Sequence, residues 1–589
     1  MKRFKYLLTI ALISMSTYGC QDILDEQPRS DLTPDYFNTG AGVERGVNAA
    51  YAYFRYWYGS MGGMDMTDFG TDEWTEGDQA NNPEVNTYLL TPASGVVSTA
   101  WNRAYPAINT CNGVIELGQD VDDLGEAELN RLIGEAKYLR AHWYFILVQQ
   151  YGGVTLDLGA GPLRFNTNPT VAASRASEEE VYEAIIQDLK DAEEALPPSS
   201  SGDGRVWKAS ALHLLAKAYL TRAWLLDNNA DYDSALMAVQ RLIPDPNSPT
   251  ANYGATLLSD YADVHREGNE YNNEILFSAN RNGDPDYTNI EPFVGGDEQF
   301  LQNRANFYYR CFYFRDVDGL IRDVTNGRPW IRMKPTDFLL NSVFVNTDVD
   351  SRYHKSFQTV WYANDEETLP VWTESDVTAG YIDPSMVGEY KYEVGDTALY
   401  MPTFELSDLE QGRRGYVVYD PSEVAAQDDY YPSLSKHNAV ERPQDGTEDN
   451  PNVGSYRPYL AHRLGETYLI GAEAALMSGN PGLAAQYINT LRRRAAYPGM
   501  ESNMEITAGE VDIDFILDER SRELAGEMKR WFDLKRTEKL VERVRLYNSI
   551  AAPNIQPFHR YRPIPQDQID LAIDPTTPDG RYPQNEGYN

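Results

Sequence analysis

Apolar side chains return every three or four positions in a series of separate windows, the spacing that gathers one face of an α-helix. Val43, Val47, Ala50 and Phe54 mark a first helix over Gly42 to Tyr58. The same period predicts helices over Trp101 to Leu117 and Leu129 to Tyr151, the second stopped by Gly152-Gly153. Another opens behind Ser177, a good N-cap, and runs from Glu178 to Pro197-Pro198. Ala209 to Leu226 and Tyr232 to Ile243 follow as a pair. Towards the C-terminus, Leu464, Tyr468, Gly471, Ala472 and Ala475 share one face, and beyond the break Ser478-Gly479-Asn480-Pro481, Leu483, Tyr487, Ile488 and Leu491 share another. The period fails twice. Residues 59–93 are rich in Gly, Asp, Asn and Pro and read as a long loop, a length that in compact proteins is usually functional or disordered. Residues 253–451 hold only short strand-like runs, such as Glu274 to Ser278 and Gly415 to Tyr419, among Pro, Gly, Asn and aromatics.

Small residues at Gly471, Ala472, Ala475 and Ala484 let two antiparallel helices approach closely, and Arg492 to Arg494 load the last turn, where the helix dipole favours cations. Such a pair is the unit of a tetratricopeptide repeat, about 34 residues long. Ala218-Tyr219-Leu220 with Asp231 to Leu236 and Pro246 carries the same pattern, with roughly one extra turn in its first helix. With the two N-terminal pairs, about four such hairpins are expected, separated by insertions rather than in tandem. The expected class is therefore all-α, with a large irregular insertion and a few short strands.

From Ile516 to Arg536 the sequence reads as one helix with an apolar stripe at Leu517, Leu524, Met528 and Trp531. Glu519, Arg520, Glu523, Glu527 and Arg530 stand around it at spacings that allow pairs three or four positions apart. Tyr561-Arg562-Pro563-Ile564-Pro565 and Gln584-Asn585-Glu586-Gly587-Tyr588 follow. Taken in order with Arg463, Glu466, Ala472-Glu473-Ala474, Asn489, Arg492 and Arg494, and with Asp533, Leu534 and Arg536, these residues closely resemble the C-terminal signature of the SusD/RagB family. Glu135 to Ala141 and Tyr151 to Val154 resemble that family's first conserved block. Its members are surface nutrient-binding lipoproteins of Bacteroidetes. The resemblance implies a SusD-like fold and capture of a poly- or oligosaccharide for a SusC-like TonB-dependent transporter, on which the helical repeats would dock. It also leaves open a RagB-type peptide carrier, or a lid of the transporter without ligand affinity of its own.

The N-terminus adds an address. Lys2, Arg3 and Lys5 precede an apolar run from Tyr6 to Met15, too short to span a bilayer, and then Gly19-Cys20. Residues 1–19 read as a signal peptide, Cys20 as the lipidated first residue of the mature chain, and residues 20–35 as its tether. Asp22, Asp25 and Glu26 resemble the signal that sends such lipoproteins to the outer face of the outer membrane. Behind the tether we expect a helical region over 36–252, a ligand-binding insertion over 253–451 and a second helical region over 452–589.

Composition narrows the partners. With 51 basic against 89 acidic side chains, the net charge of −38 disfavours nucleic acid, which needs basic patches. Cys111 and Cys311 are read as two buried free thiols, though pairing stays open. No phosphate-binding glycine loop, H-E-x-x-H or G-x-S-x-G occurs, Asp316 to Gly319 lacks a full calcium loop, and no cofactor or metal site is expected. We therefore expect no enzyme. Forty-one tyrosines and ten tryptophans suit a saccharide site, because sugar C–H faces stack on rings while hydroxyls pair with Asn, Asp and Arg. The loop before Trp101 offers Trp74, Asp78, Asn81, Asn82, Asn86 and Tyr88, and the insertion offers Phe293, Tyr308, Tyr309, Trp330, Trp361 and Trp372. Trp74, Asn81, Tyr88, Trp330 and Trp361 are the chosen ligand contacts, the three tryptophans because each sits among Gly, Pro, Asp or Asn.

Overall fold

The computed structural model describes residues 34–156, 163–167, 170–281, 302–440 and 450–588. The signal peptide, Cys20, all of the tether but its last two residues, and Phe293 lie outside the described residues.

Eight helices form a continuous row in which each packs on the next: α1 (Gly40–Tyr53), α2 (Ser98–Leu117), α3 (Glu126–Tyr151), α4 (Glu178–Ala195), α5 (Lys208–Leu226), α6 (Asn229–Leu242), α7 (Leu464–Met477) and α8 (Pro481–Ala495). The cap read at Ser177 is present, and Asn480 of the break supplies another. Ser177 and Glu180 form a reciprocal capping box at the start of α4, and Asn480 caps α8 by accepting from Leu483 N at 3.1 Å. α7 packs on α6 although residues 243–463 separate them, so the irregular region is looped out of an otherwise unbroken helical stack. Gly471 is needed at that joint, since a Cβ there would come within 2.9 Å of Val239 Cγ1. Among the described residues, no helix is long and apolar enough to cross a membrane.

The looped-out region carries most of the short strands. β1 (Trp74–Glu76) pairs antiparallel with β3 (Met333–Pro335), and β2 (Ile275–Ala279) with β9 (Tyr459–Arg463), which leads directly into α7. β4 (Phe357–Gln358) pairs with β8 (Ser433–Leu434), and β5 (Val360–Tyr362), β6 (Thr397–Tyr400) and β7 (Val417–Val418) form a small mixed sheet. One hydrophobic core runs through scaffold and insertion alike, with Phe54 stacked 4.6 Å from Trp143 of α3 and edge-on to Phe277 of β2 at 5.2 Å.

Two expectations fail, for a common reason. Ile516 to Arg536 is not one helix: α9 (Ile513–Leu524) ends, Gly526 and Met528 take left-handed backbone (φ +72° and +60°), and α10 (Arg530–Arg536) starts afresh. Met528 N at this break donates to Asp68 Oδ2 at 3.2 Å. Residues 59–93 are not one long loop either. Met61–Thr67 is helical, and Asp65, Asp68, Asp72 and Trp74 are all fully buried. The two misread stretches pack on each other through charge. Asp72 receives Arg530 and, from α11 (Leu540–Tyr547), Arg543, each at 2.7 Å.

That pairing is one of several buried ion clusters in which the signature residues quoted above take part. Arg463 reaches Glu523 at 2.7 Å, Glu527 at 2.8 Å and Glu274 at 3.2 Å. Arg352 bridges Glu519 (2.8 Å) and Glu523 (3.0 Å), Lys436 holds Glu527 (2.8 Å), and Arg536 holds Glu473 (2.7 Å). Burial alone would raise the Glu523 carboxyl, but Arg494, Arg463 and Arg352 outweigh it and hold the group down to about 2. The signature charges pair mainly across the fold, tying β9, α8 and α9 to the insertion. Such pairs are costly to break singly, because a partner is left buried and uncompensated.

Candidate ligand-binding cleft

An open cleft of about 380 Å³ lies where five segments meet. Tyr56 comes from the 3₁₀ turn that ends α1, Ser60 to Gly62 from the start of the Met61–Thr67 helix, and Asn81 and Asn82 from the turn after β1. Ser98, Thr99, Asn102 and Arg103 come from the first turns of α2, and Arg304 from the residue before the Ala305–Tyr308 helix. Glycine at 62 permits the close approach of two of these walls, since a Cβ there would meet Thr99 Oγ1 at 2.5 Å. Ser60 fixes its helix by accepting from Gly63 N at 3.1 Å.

Asp65 supports the cleft from behind. It is fully buried, and it accepts from Asn82 Nδ2 on one oxygen and Tyr308 Oη on the other, both at 2.6 Å. Burial pushes its carboxyl up to about 6, against the hydrogen bonds from Tyr308, Asn82 and Asn81. Tyr308 in turn lies edge-on to Trp330 at 6.2 Å, so one chain of contacts runs from the asparagines of the first loop to the tryptophan of the insertion.

Trp330 is half-buried and has arginines about it. The guanidinium carbons of Arg304, Arg328 and Arg332 stand 5.6, 5.7 and 5.6 Å from its ring centre. Ile331, between Trp330 and Arg332, has φ +52°, a conformation that costs a β-branched residue about 1–3 kcal/mol. It is held there by its N–H to Arg310 O and by its carbonyl, which accepts from Gln79 N, both at 3.1 Å. Arg103 stacks over Tyr56 at 4.1 Å on the opposite wall. The cleft thus offers amides, hydroxyls and ring-seated guanidiniums.

A larger cleft of about 550 Å³ lies between the insertion and α11, around Phe338 and Tyr547, whose rings stack at 3.9 Å. No group of three His, Cys, Asp or Glu side chains that could hold a metal ion occurs among the described residues.

A family model described as "SusD family" matches residues 346–588, and one described as "Starch-binding associating with outer membrane" matches residues 22–220. The chain belongs to the SusD/RagB family. "SusD-like protein P2" of Formosa agariphila is 27% identical over 567 residues, 93% of this chain and 92% of that one. A "SusD-like protein" of Bacteroides ovatus is 28% identical over 288 residues, 46% of this chain and 49% of that one. Two solved structures share the fold. A "Laminarin binding SusD-like protein" superposes with a TM-score of 0.65 at 22% identity, covering 93% of this chain and 100% of the other. "Surface glycan-binding protein A" of Bacteroides thetaiotaomicron, in complex with laminarihexaose, gives 0.62 at 19%, covering 93% and 99%.

On this SusD-like scaffold the five residues chosen from sequence part company. Asn81 is exposed and lines the cleft, and Trp330 adjoins it through Arg304. The other three face the core. Trp74 is fully buried and lies edge-on to Tyr309 at 4.6 Å, and Trp361 is fully buried in the small sheet, parallel to Tyr313. Tyr88 is 3% exposed, and its hydroxyl donates to Gly70 O at 2.8 Å. None of these three presents a ring face to solvent. The polar neighbours that marked Trp74 as a loop residue, Asp72 and Glu73, are themselves buried beside Arg530. Tyr56, Asn102, Arg103 and Arg304 were missed. Arg103 and Asn102 had one signal, their place beside Trp101 at the start of α2, while Tyr56 and Arg304 had none. Cys111 and Cys311 are free buried thiols.

Proposed function

We propose that this chain captures a poly- or oligosaccharide at the outer face of the outer membrane, held there by lipid on Cys20, and hands it unmodified to a SusC-like TonB-dependent transporter. The observation that carries this reading is the open cleft in which Asn81, Asn82 and Asn102 stand with Arg103, stacked on Tyr56, and with Arg304, which reaches the Trp330 ring. Hydroxyl-rich ligands need such a mixture of side-chain donors, acceptors and aromatic surface, placed on a preformed scaffold. The laminarin-binding and laminarihexaose-bound neighbours support a saccharide as the ligand class. The signal-like N-terminus and Cys20 support the anchor.

Affinity electrophoresis of the protein lacking residues 1–20, through gels loaded with different polysaccharides, tests the reading. Retardation by a polymer that is not shortened, reduced by Asn81→Ala with Trp330→Ala, is the expected result. Retardation by no polymer, with binding on a peptide array instead, would replace the saccharide by a peptide. Palmitate labelling lost in Cys20→Ala tests the anchor, and co-purification of a neighbouring barrel in mild detergent tests the partner.

A further inference from the structure

We infer that the larger cleft is a second saccharide site with Tyr547 as its stacking platform, so that one polymer is held at two places on this chain; this rests on the saccharide-capturing reading above. The two clefts share one element. Thr75, Lys334 and Pro335 of the β1–β3 ribbon line the larger cleft, and the chain leaving β1 lines the smaller one with Asn81 and Asn82. Thr75 and Asn81 stand no more than about 20 Å apart, the reach of the extended chain between them. A polymer long enough to pass both clefts binds the second at high effective concentration once the first is filled.

The platform is built in advance. Tyr547 stacks on Phe338 with ring centres 3.9 Å apart and 20° from parallel, and it is still 38% exposed at the cleft. The Arg543 guanidinium bounds both rings, 5.0 Å from the centre of Phe338 and 5.5 Å from that of Tyr547, and Asp72 holds it at 2.7 Å. Thr75 Oγ1 donates to Asn548 Oδ1 at 3.2 Å, and Asn548 Nδ2 donates to Thr71 O at 2.8 Å, which fixes the chain after Tyr547 to β1. Phe338 itself opens a π-helical turn, Phe338–Val343, a rare geometry that recurs at functional sites. A ring so fixed loses little freedom when the C–H face of a sugar settles on it. Around it the chemistry is that of hydroxyl recognition. The hydroxyls of Ser342, Thr403 and Ser549 are exposed, and among the described residues they have no partner. Asp337 and Asp428 each present a second carboxylate oxygen beyond the one bonded to Asn341 and to Lys334. The cations of the lining are engaged, Lys334 by Asp428 at 3.4 Å and Arg545 by Ile555 O at 2.9 Å, which leaves the hydroxyl-binding groups and the ring to set the ligand class.

The test is calorimetric titration of the protein lacking residues 1–20 with trisaccharides made from a β-glucan, a galactomannan and polygalacturonate, beside affinity electrophoresis in the intact polymers. The expected result, for one of the three, is two trisaccharide sites per chain. Tyr547→Ala should remove one of them, and Asn81→Ala with Trp330→Ala the other. Tyr547→Ala should also weaken retardation by the intact polymer about tenfold or more, since a chain held at one place loses the avidity of two linked sites. Ser342→Trp fills the cleft from an exposed position and leaves the ring pair whole, so it should remove the same site as Tyr547→Ala and separate lost binding from lost folding. Tyr547→Phe keeps the ring and should keep the site. A single trisaccharide site, lost in Asn81→Ala with Trp330→Ala and kept in both Tyr547→Ala and Ser342→Trp, would overturn the second site and leave saccharide capture standing. A single site lost only in Tyr547→Ala and Ser342→Trp would uphold the larger cleft and overturn the smaller one. No binding of any trisaccharide or polymer would overturn both readings.

Discussion

Replacing Arg463 by Met removes the centre of the buried ion network while keeping most of the side-chain volume. Arg463 is 1% exposed and donates to carboxylates of Glu274, Glu523 and Glu527, and to Glu523 O at 2.6 Å. Loss of one partner from a buried pair costs about 3–5 kcal/mol, because the opposite charge stays buried. Glu527 keeps Lys436, and Glu523 keeps Arg352 and Arg494, so the lower end applies. A loss of roughly 3 kcal/mol is about a 150-fold shift of the folding equilibrium. Urea unfolding at pH 7 reads it as a lower midpoint. The pH dependence supplies a second reading. Glu523 sits at about 2 in the folded chain, below its unfolded value of 4.5, so its contribution is fully present above that value and is lost as pH falls through the folded one. With Arg463 gone, that folded value rises and the acid transition moves to higher pH. An Arg463→Met protein with the wild-type urea midpoint and the wild-type acid transition would refute the argument that these signature charges hold the C-terminal helices to the insertion.

Two tryptophans should separate binding from stability. Trp361→Ala empties a fully buried position and should cost about 3–5 kcal/mol in denaturant unfolding, whereas Trp330→Ala should leave the midpoint nearly unchanged and reduce polysaccharide retardation. Equal effects of both on stability would place Trp330 in the core. Asp65 titrates at about 6 when folded against 3.8 when unfolded, so its contribution is fully present below 3.8 and is lost as pH rises through 6. The shift corresponds to roughly 3 kcal/mol. Asp65→Asn should therefore flatten the stability profile between pH 4 and 7, and an unchanged slope there would count against the buried-carboxylate assignment. Burial pushes the Cys111 thiol up to about 12 and the Cys311 thiol to about 11. In protein lacking residues 1–20, neither should react with a thiol reagent until urea unfolds the chain, and then both should, and rapid labelling of either in the native state would show its pocket to be open.

Helices whose signal is local were legible from sequence. The cap Ser177, the break at Ser478 to Pro481, the stop at Gly152-Gly153 and the apolar faces of α7 and α8 each declare themselves within a few residues. What failed depended on partners that lie far away in the chain. Glu519, Glu523 and Glu527 stand at spacings that fit pairs along one exposed helix, and spacing cannot tell those from partners at Arg352, Arg463 and Lys436. The same blindness sent Trp74 to the ligand. An Asp-rich, glycine-bearing segment reads as solvated until Arg530 and Arg543 arrive from the far end of the chain to bury Asp72.

The cleft follows the same logic in reverse. Its walls come from residues 56, 60–62, 81–82, 95–103 and 304, with Trp330 adjoining through Arg304, and no one of these segments carries a pattern that sets it apart. The bulk charge was equally uninformative, since a net −38 describes the whole chain, whereas the described residues of the lining include Arg103 and Arg304 and no carboxylate.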